Sequence, residues 1–156
     1  MVDINTLSLV LTGIGLTIAV IYYALTLRNA TAARKAQLFM GLYESYRNPD
    51  FRRRLFEIRD LQWDSSEDAY EKYSRVKNPE IMVTINSVAA YFNGVGILVK
   101  KGLIDIELVD EMLSFVLIAQ WEILEPLILD MRKRNESPTI NSNFEYIYKE
   151  LKKRNP

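Results

Sequence analysis

From Ile4 to Leu27 the chain carries no charged side chain, a run of 24 residues bounded by Asp3 and Arg28. Beyond it, apolar residues recur at spacings of three and four, the period of helices, and no stretch alternates with period two for long enough to predict a strand. A helix of the first run rises to roughly 36 Å, enough to cross a hydrocarbon core of about 30 Å with some tilt. The pattern predicts a transmembrane helix over residues 1–27. Ala30-Thr31-Ala32 has the small-x-small look of a signal cleavage site. Against cleavage, Asp3 is the only charged side chain ahead of the run, and the run exceeds the roughly 7–15 apolar residues of a signal peptide. The segment reads as one that stays.

Two stripes divide this helix. Ser8, Thr12, Gly15, Ala19, Tyr22 and Thr26 follow one another at alternating spacings of four and three, extended by Asn5, Asn29 and Ala33. Leu7, Leu11, Ile14, Ile18, Ile21 and Leu25 keep the same spacing roughly 110° around the helix. In lipid there is no hydrophobic drive for helices to meet, so small residues that allow close approach and hydroxyls that bond across must do it. The first stripe is therefore expected to be a self-association seam or a pore wall, and the second to face lipid. Alternatively the hydroxyls bond back to their own helix's carbonyls and the stripe has no partner.

Arg28, Arg34 and Lys35 form a basic juxtamembrane group, with nothing cationic but the amino terminus on the other side. By the positive-inside tendency the N-terminus lies outside and the remainder in the cytoplasm of a membrane-bound protein. The sequons Asn29-Ala30-Thr31 and Asn135-Glu136-Ser137 then lie in the wrong compartment. Tyr22 and Tyr23 suit an interfacial anchor.

An alanine-rich stretch without Gly or Pro, Arg28 to Met40, predicts that the helix continues as a stalk over residues 28–47 until Asn48-Pro49 ends it. A bundle is expected over residues 48–156. Asn48 with Pro49 predicts a helix over Asp50 to about Leu61, and Ser65 with Asp68 a short one reaching about Arg75. The next should run from Pro79 to Lys101, stopped by Gly102, with Ile81, Ile85, Val88, Phe92, Val95 and Val99 on its core face. Asp105 is expected to cap a helix with Val109, Met112, Leu113, Val116 and Leu117 as its apolar face, kinked or broken at Pro126 before Arg132-Lys133-Arg134. These two long helices should form an antiparallel hairpin, and a last helix should run from about Ser142 to Lys153. The fold class is all-α.

Composition narrows the chemistry. There is no His and no Cys, which removes imidazole acid-base work, thiol nucleophiles, the usual zinc ligand sets and disulfides. Twenty cations balance twenty carboxylates, so no nucleic-acid partner is expected. Between Arg28 and Arg54, however, seven cations stand against Glu44 and Asp50, and those nearest the bilayer suit anionic lipid. Glu122 and Glu125 lie one turn apart, but carboxylate metal sites in bundles take histidine as well, so a solvated or ion-paired face is expected there. Asp105, Glu107, Asp110 and Glu111 suit the positive end of a helix dipole. Gly94 and Gly96 follow no strand and make no phosphate cradle. No catalytic residue, cofactor or metal ligand set is expected.

Phe92-Asn93-Gly94-Val95-Gly96, Gly102-Leu103-Ile104-Asp105, Trp121, Pro126, Arg132 and the stretch from Phe144 to Leu151 resemble a widespread prokaryotic family of small membrane-anchored helical proteins of unknown function. The resemblance covers roughly Arg28 to Leu151 and implies a single-pass anchor with a cytoplasmic helical domain. It implies no catalytic residue. Two functions from different classes follow as expectations. One is a homo-oligomeric pore or ion channel opened by membrane tension, and the other a membrane-tethered interaction module or accessory subunit whose bundle binds a protein partner.

Overall fold

The computed structural model describes residues 3–155. Met1, Val2 and Pro156 lie outside the described residues, and with them the outermost positions of the expected segments 1–27 and 48–156. Among the described residues there are six helices and no strand: α1 (Ile4–Arg47), α2 (Pro49–Arg59), α3 (Ser66–Tyr73), α4 (Pro79–Lys100), α5 (Ile106–Arg134) and α6 (Ser142–Arg154). The chain divides into two units, Met1–Gln37 and Leu38–Pro156. In the first, residues 4–34 of α1 are all exposed. By length and apolar character α1, α4 and α5 are each able to cross a membrane, yet only α4 and α5 bury part of their apolar stretch within the protein.

The second unit is the bundle. Its core joins Phe39 from the end of α1 to Leu55 and Ile58 of α2, Ala69 of α3, the inner faces of α4 and α5, and Phe144, Ile147 and Leu151 of α6. Residues 38–47, read above as the end of a stalk, supply Phe39, Leu42, Tyr43 and Tyr46 to this packing. On α4, Ile85, Val88, Phe92 and Val95 are buried, with Ile81 and Val99 half-buried at the ends of the stripe. On α5 the stripe is Val109, Leu113, Leu117, Trp121, Leu124 and Ile128, and Met112, expected inside, is 40% exposed. The stripe advances from Val109 by steps of four to Leu113, Leu117 and Trp121, so Met112, one position short of Leu113, is turned outward.

Helix punctuation follows local chemistry. Asn48 accepts from the backbone N–H groups of Asp50 (2.8 Å) and Phe51 (3.4 Å), ahead of Pro49 at the first helical position. Ser65 Oγ accepts from the N–H of Asp68 at 3.2 Å, and Asn78 Oδ1 from that of Ile81 at 3.3 Å. Gly102 takes φ +65° and closes α4 with N–H bonds from Leu103 to the Leu98 carbonyl and from Gly102 to that of Val99. Three expectations are corrected. Of the kink or break expected at Pro126 the break is absent: α5 is continuous through it, the missing N–H costing one bond in a helix held by core contacts on the turns either side. Asp105 occupies the N-cap position of α5 with extended backbone, φ −84° and ψ 134°, but makes no side-chain cap bond. α3 stops at Tyr73, since the backbone of Ser74 is extended. The long helices α4 and α5 follow one another across a short turn, but α4 packs most broadly against α6.

Candidate functional site

In the first unit, every member of both stripes, from Ser8 to Thr26 and from Leu7 to Leu25, is exposed. The Thr12 hydroxyl donates to the Ser8 carbonyl and that of Thr26 to the Tyr22 carbonyl, each at 2.8 Å; Thr17 and Thr31 do the same one turn back. This is the intrahelical arrangement set out above as the alternative. It leaves oxygen lone pairs as acceptors but takes the hydroxyl protons. Arg28 and Arg34 are exposed and Lys35 is half-exposed. Gly15 has open space around it.

In the bundle, six of the residues that carried the resemblance, Phe92, Asn93, Gly96, Trp121, Arg132 and Phe144, converge on the start of α6. Asn141 precedes this helix in left-handed backbone, φ 52°, and makes no side-chain cap bond. The cap comes from another helix: Asn93 Oδ1 on α4 accepts from the N–H groups of Asn143 (3.1 Å) and Phe144 (3.3 Å). One turn on, Gly96 lets α4 meet the backbone of Asn143, where a Cβ would strike the Asn143 carbonyl. Phe144 stacks on Phe92 at 5.1 Å and meets Trp121 edge-on at 5.0 Å. Arg132 then donates Nε to the Ile140 carbonyl (2.9 Å) and Nη1 to Glu145 Oε2 (2.6 Å). Lys149 and then Arg132 hold the Glu145 carboxyl below the usual carboxylate range. These residues fasten α6; they are not arranged around a space for a substrate.

Three of the carboxylates singled out above, Glu122, Glu107 and Asp110, have partners. Glu122 pairs with Lys152 at 2.8 Å, as the ion-paired reading expected. Glu107 meets Arg154 (3.3 Å), and Asp110 accepts from the Asn155 amide (2.6 Å), so the acidic start of α5 receives the end of α6. Thr84 donates to Glu57 at 3.0 Å, tying α4 to α2.

An apolar groove of about 420 Å³ lies between α2 and α5, beside a larger and more polar cavity of about 560 Å³ lined by Trp63, Asp64, Lys72, Glu122 and Pro126. Arg52, Leu55, Phe56 and Arg59 come from one stripe of α2, at the i, i+3, i+4, i+7 spacing of a single helix face. Phe115, Val116, Ala119, Gln120 and Ile123 come from α5, and Tyr46 closes one end. Phe115 is 86% exposed although it lies in the most apolar part of α5, because it stands opposite Leu113 and Leu117 on the helix. Phe56 is 53% exposed. Gln120 is buried at the groove's floor; its Nε2 donates to the Leu55 carbonyl at 3.2 Å, and its Oε1 has no partner among the described residues. Arg52 Nη1 donates to the Tyr46 hydroxyl at 3.3 Å with its guanidinium 5.2 Å from that ring. The sequence reading placed Arg52 and Phe115 on helices but not in this groove. A signal was present: Phe115 is out of phase with the core stripe of α5, and a large aromatic out of phase marks a surface.

No curated protein and no solved structure matches the chain. A family model described as a domain of unknown function, DUF4760, matches residues 9–151, which takes in most of the uncharged run together with the whole bundle core. The chain, several of whose motif residues fasten α6 to the rest of the bundle, belongs to this uncharacterised DUF4760 family.

Proposed function

We propose that the chain is a single-pass membrane protein that works as a tethered docking module or accessory subunit. Residues 4–27 form the anchor, the N-terminus lies outside, and the bundle faces the cytoplasm. Three observations support the anchor: the absence of charge from Ile4 to Leu27, the full exposure of α1 over residues 4–34, and the basic group at Arg28, Arg34 and Lys35. The single observation that carries the docking role is the α2–α5 groove, where a large aromatic stands in water on a bundle that already has a complete core. The stripe from Ser8 to Thr26 serves self-association, small residues allowing the helices to approach.

The mass of the detergent-solubilised particle tests this reading. One or two chains per particle fit a tethered module, whereas three or more permit a ring. The second reading is a homo-oligomeric pore opened by tension, favoured by the run of small and polar residues at Ser8, Thr12, Gly15, Ala19 and Thr26. It predicts that Thr12→Asp or Ala19→Asp makes the expressed protein leak, and that patches stretched by suction carry current. Silence in both measurements leaves the docking module alone.

A further inference from the structure

The groove has a chemical polarity that narrows what fits it. Its apolar lining is Leu55, Phe56, Phe115, Val116, Ala119 and Ile123, and its charged side chains are arginines. Arg52 and Arg59 are seven residues apart on α2, two turns, which separates them by about 10 Å along the groove. Neither has a carboxylate partner among the described residues, unlike Lys72, Lys149, Lys152 and Arg154. Arg52 is steadied only by Tyr46, an arrangement that leaves its remaining N–H donors pointing to solvent. Two helices side by side with apolar walls form the groove into which a third helix packs.

We infer that the α2–α5 groove binds an acidic amphipathic helix of a partner protein, its apolar side chains seated between Phe56 and Phe115 and two carboxylates, two turns apart, on Arg52 and Arg59. This rests on the reading of the bundle as a docking module and adds the chemistry of the partner. An anionic lipid or fatty acid would meet the same apolar lining, but one headgroup uses one end of the groove, whereas the carboxylates of a helix repeat at the arginines' own spacing.

The test uses the full chain in phosphatidylcholine nanodiscs, with empty nanodiscs as the blank. One probe is a synthetic helix with Leu and Phe one turn apart at its centre and Glu at two positions seven residues apart. The other has Lys in place of both Glu. The Glu helix should bind and the Lys helix should bind about tenfold more weakly or not at all. Arg52→Glu with Arg59→Glu should invert that preference, a gain that misfolding cannot produce, and Phe115→Ser, at an exposed position, should weaken both. Equal binding of the two helices overturns the acidic preference while leaving a docking groove. Binding of neither overturns the proposal and the docking role together. Recruitment of phosphatidylglycerol vesicles, abolished by the arginine changes, with no binding of either helix, assigns the groove to lipid and also overturns it.

Discussion

Asn93 and Gly96 sit one turn apart on α4 and both meet Asn143 of α6, Asn93 accepting from Phe144 as well. A carboxamide at 93 supplies the first-turn acceptor that Asn141 does not, so Asn93→Ala should cost about 1–2 kcal/mol in chemical unfolding, and Asn93→Asp should recover most of it. Gly96→Ala asks a backbone carbonyl to move and should cost about 1–3 kcal/mol, with loss of the Trp121 near-ultraviolet signal as Phe144 shifts. Neither role was legible in the sequence, where Gly94 and Gly96 are two glycines inside a helix; Gly94 has open space, and only the crossing of α6 separates them. Glu145 gives a pH-dependent expectation. Its carboxyl is depressed in the folded chain by Lys149 and Arg132, so its contribution is fully present above the unfolded value near 4.3 and is lost as pH falls through the folded one. Denaturation of Glu145→Gln followed from pH 6 down to 3, a range set by about two units around that value, should show lower stability at the upper end and a flatter decline.

At the scale of the element, the end of α5 stores a correctable cost. Glu136 takes φ 49° in a closing turn where the Ser137 N–H bonds the Arg132 carbonyl and the Glu136 N–H that of Lys133. This is the position glycine fills at Gly102, so Glu136→Gly should raise stability by about 1 kcal/mol, read as a higher denaturation midpoint with unchanged slope. The helix starts were legible because a cap is a local device: Asn48, Ser65 and Asn78 each bond amides two or three residues on. The starts of α5 and α6, after Asp105 and at about Ser142, were legible too, but not how they are held: Asp105 makes no side-chain cap bond, and α6 takes its cap from a different helix. For α1, Gly15→Leu or Ala19→Leu should weaken association in detergent cross-linking, while Ile14→Leu or Ile18→Leu should change it little. Equal effects from both stripes would reverse the assignment of faces.

For the whole molecule, orientation is the expectation with the clearest reading. A cysteine at Ser142, unique in a chain that has none, should be labelled by an impermeant reagent only after the cytoplasmic side is opened, and reversing the charges of Arg28, Arg34 and Lys35 together should mix the orientations. Labelling of Ser142 in intact cells would contradict the assignment. The all-helical class, the long apolar N-terminal helix and the bundle's inner stripes follow from the sequence itself, because charge-free length, helical period and local caps depend only on residues near one another in the chain. The fastening of α6 and the groove depend on tertiary structure. Asn93 reaches Asn143 across 50 positions, and Leu55 receives Gln120 across 65, distances over which spacing carries no information. Phe115 and Arg59 become neighbours only when α2 lies beside α5. Periodicity tells which face of a helix is apolar, and packing decides which apolar faces are covered.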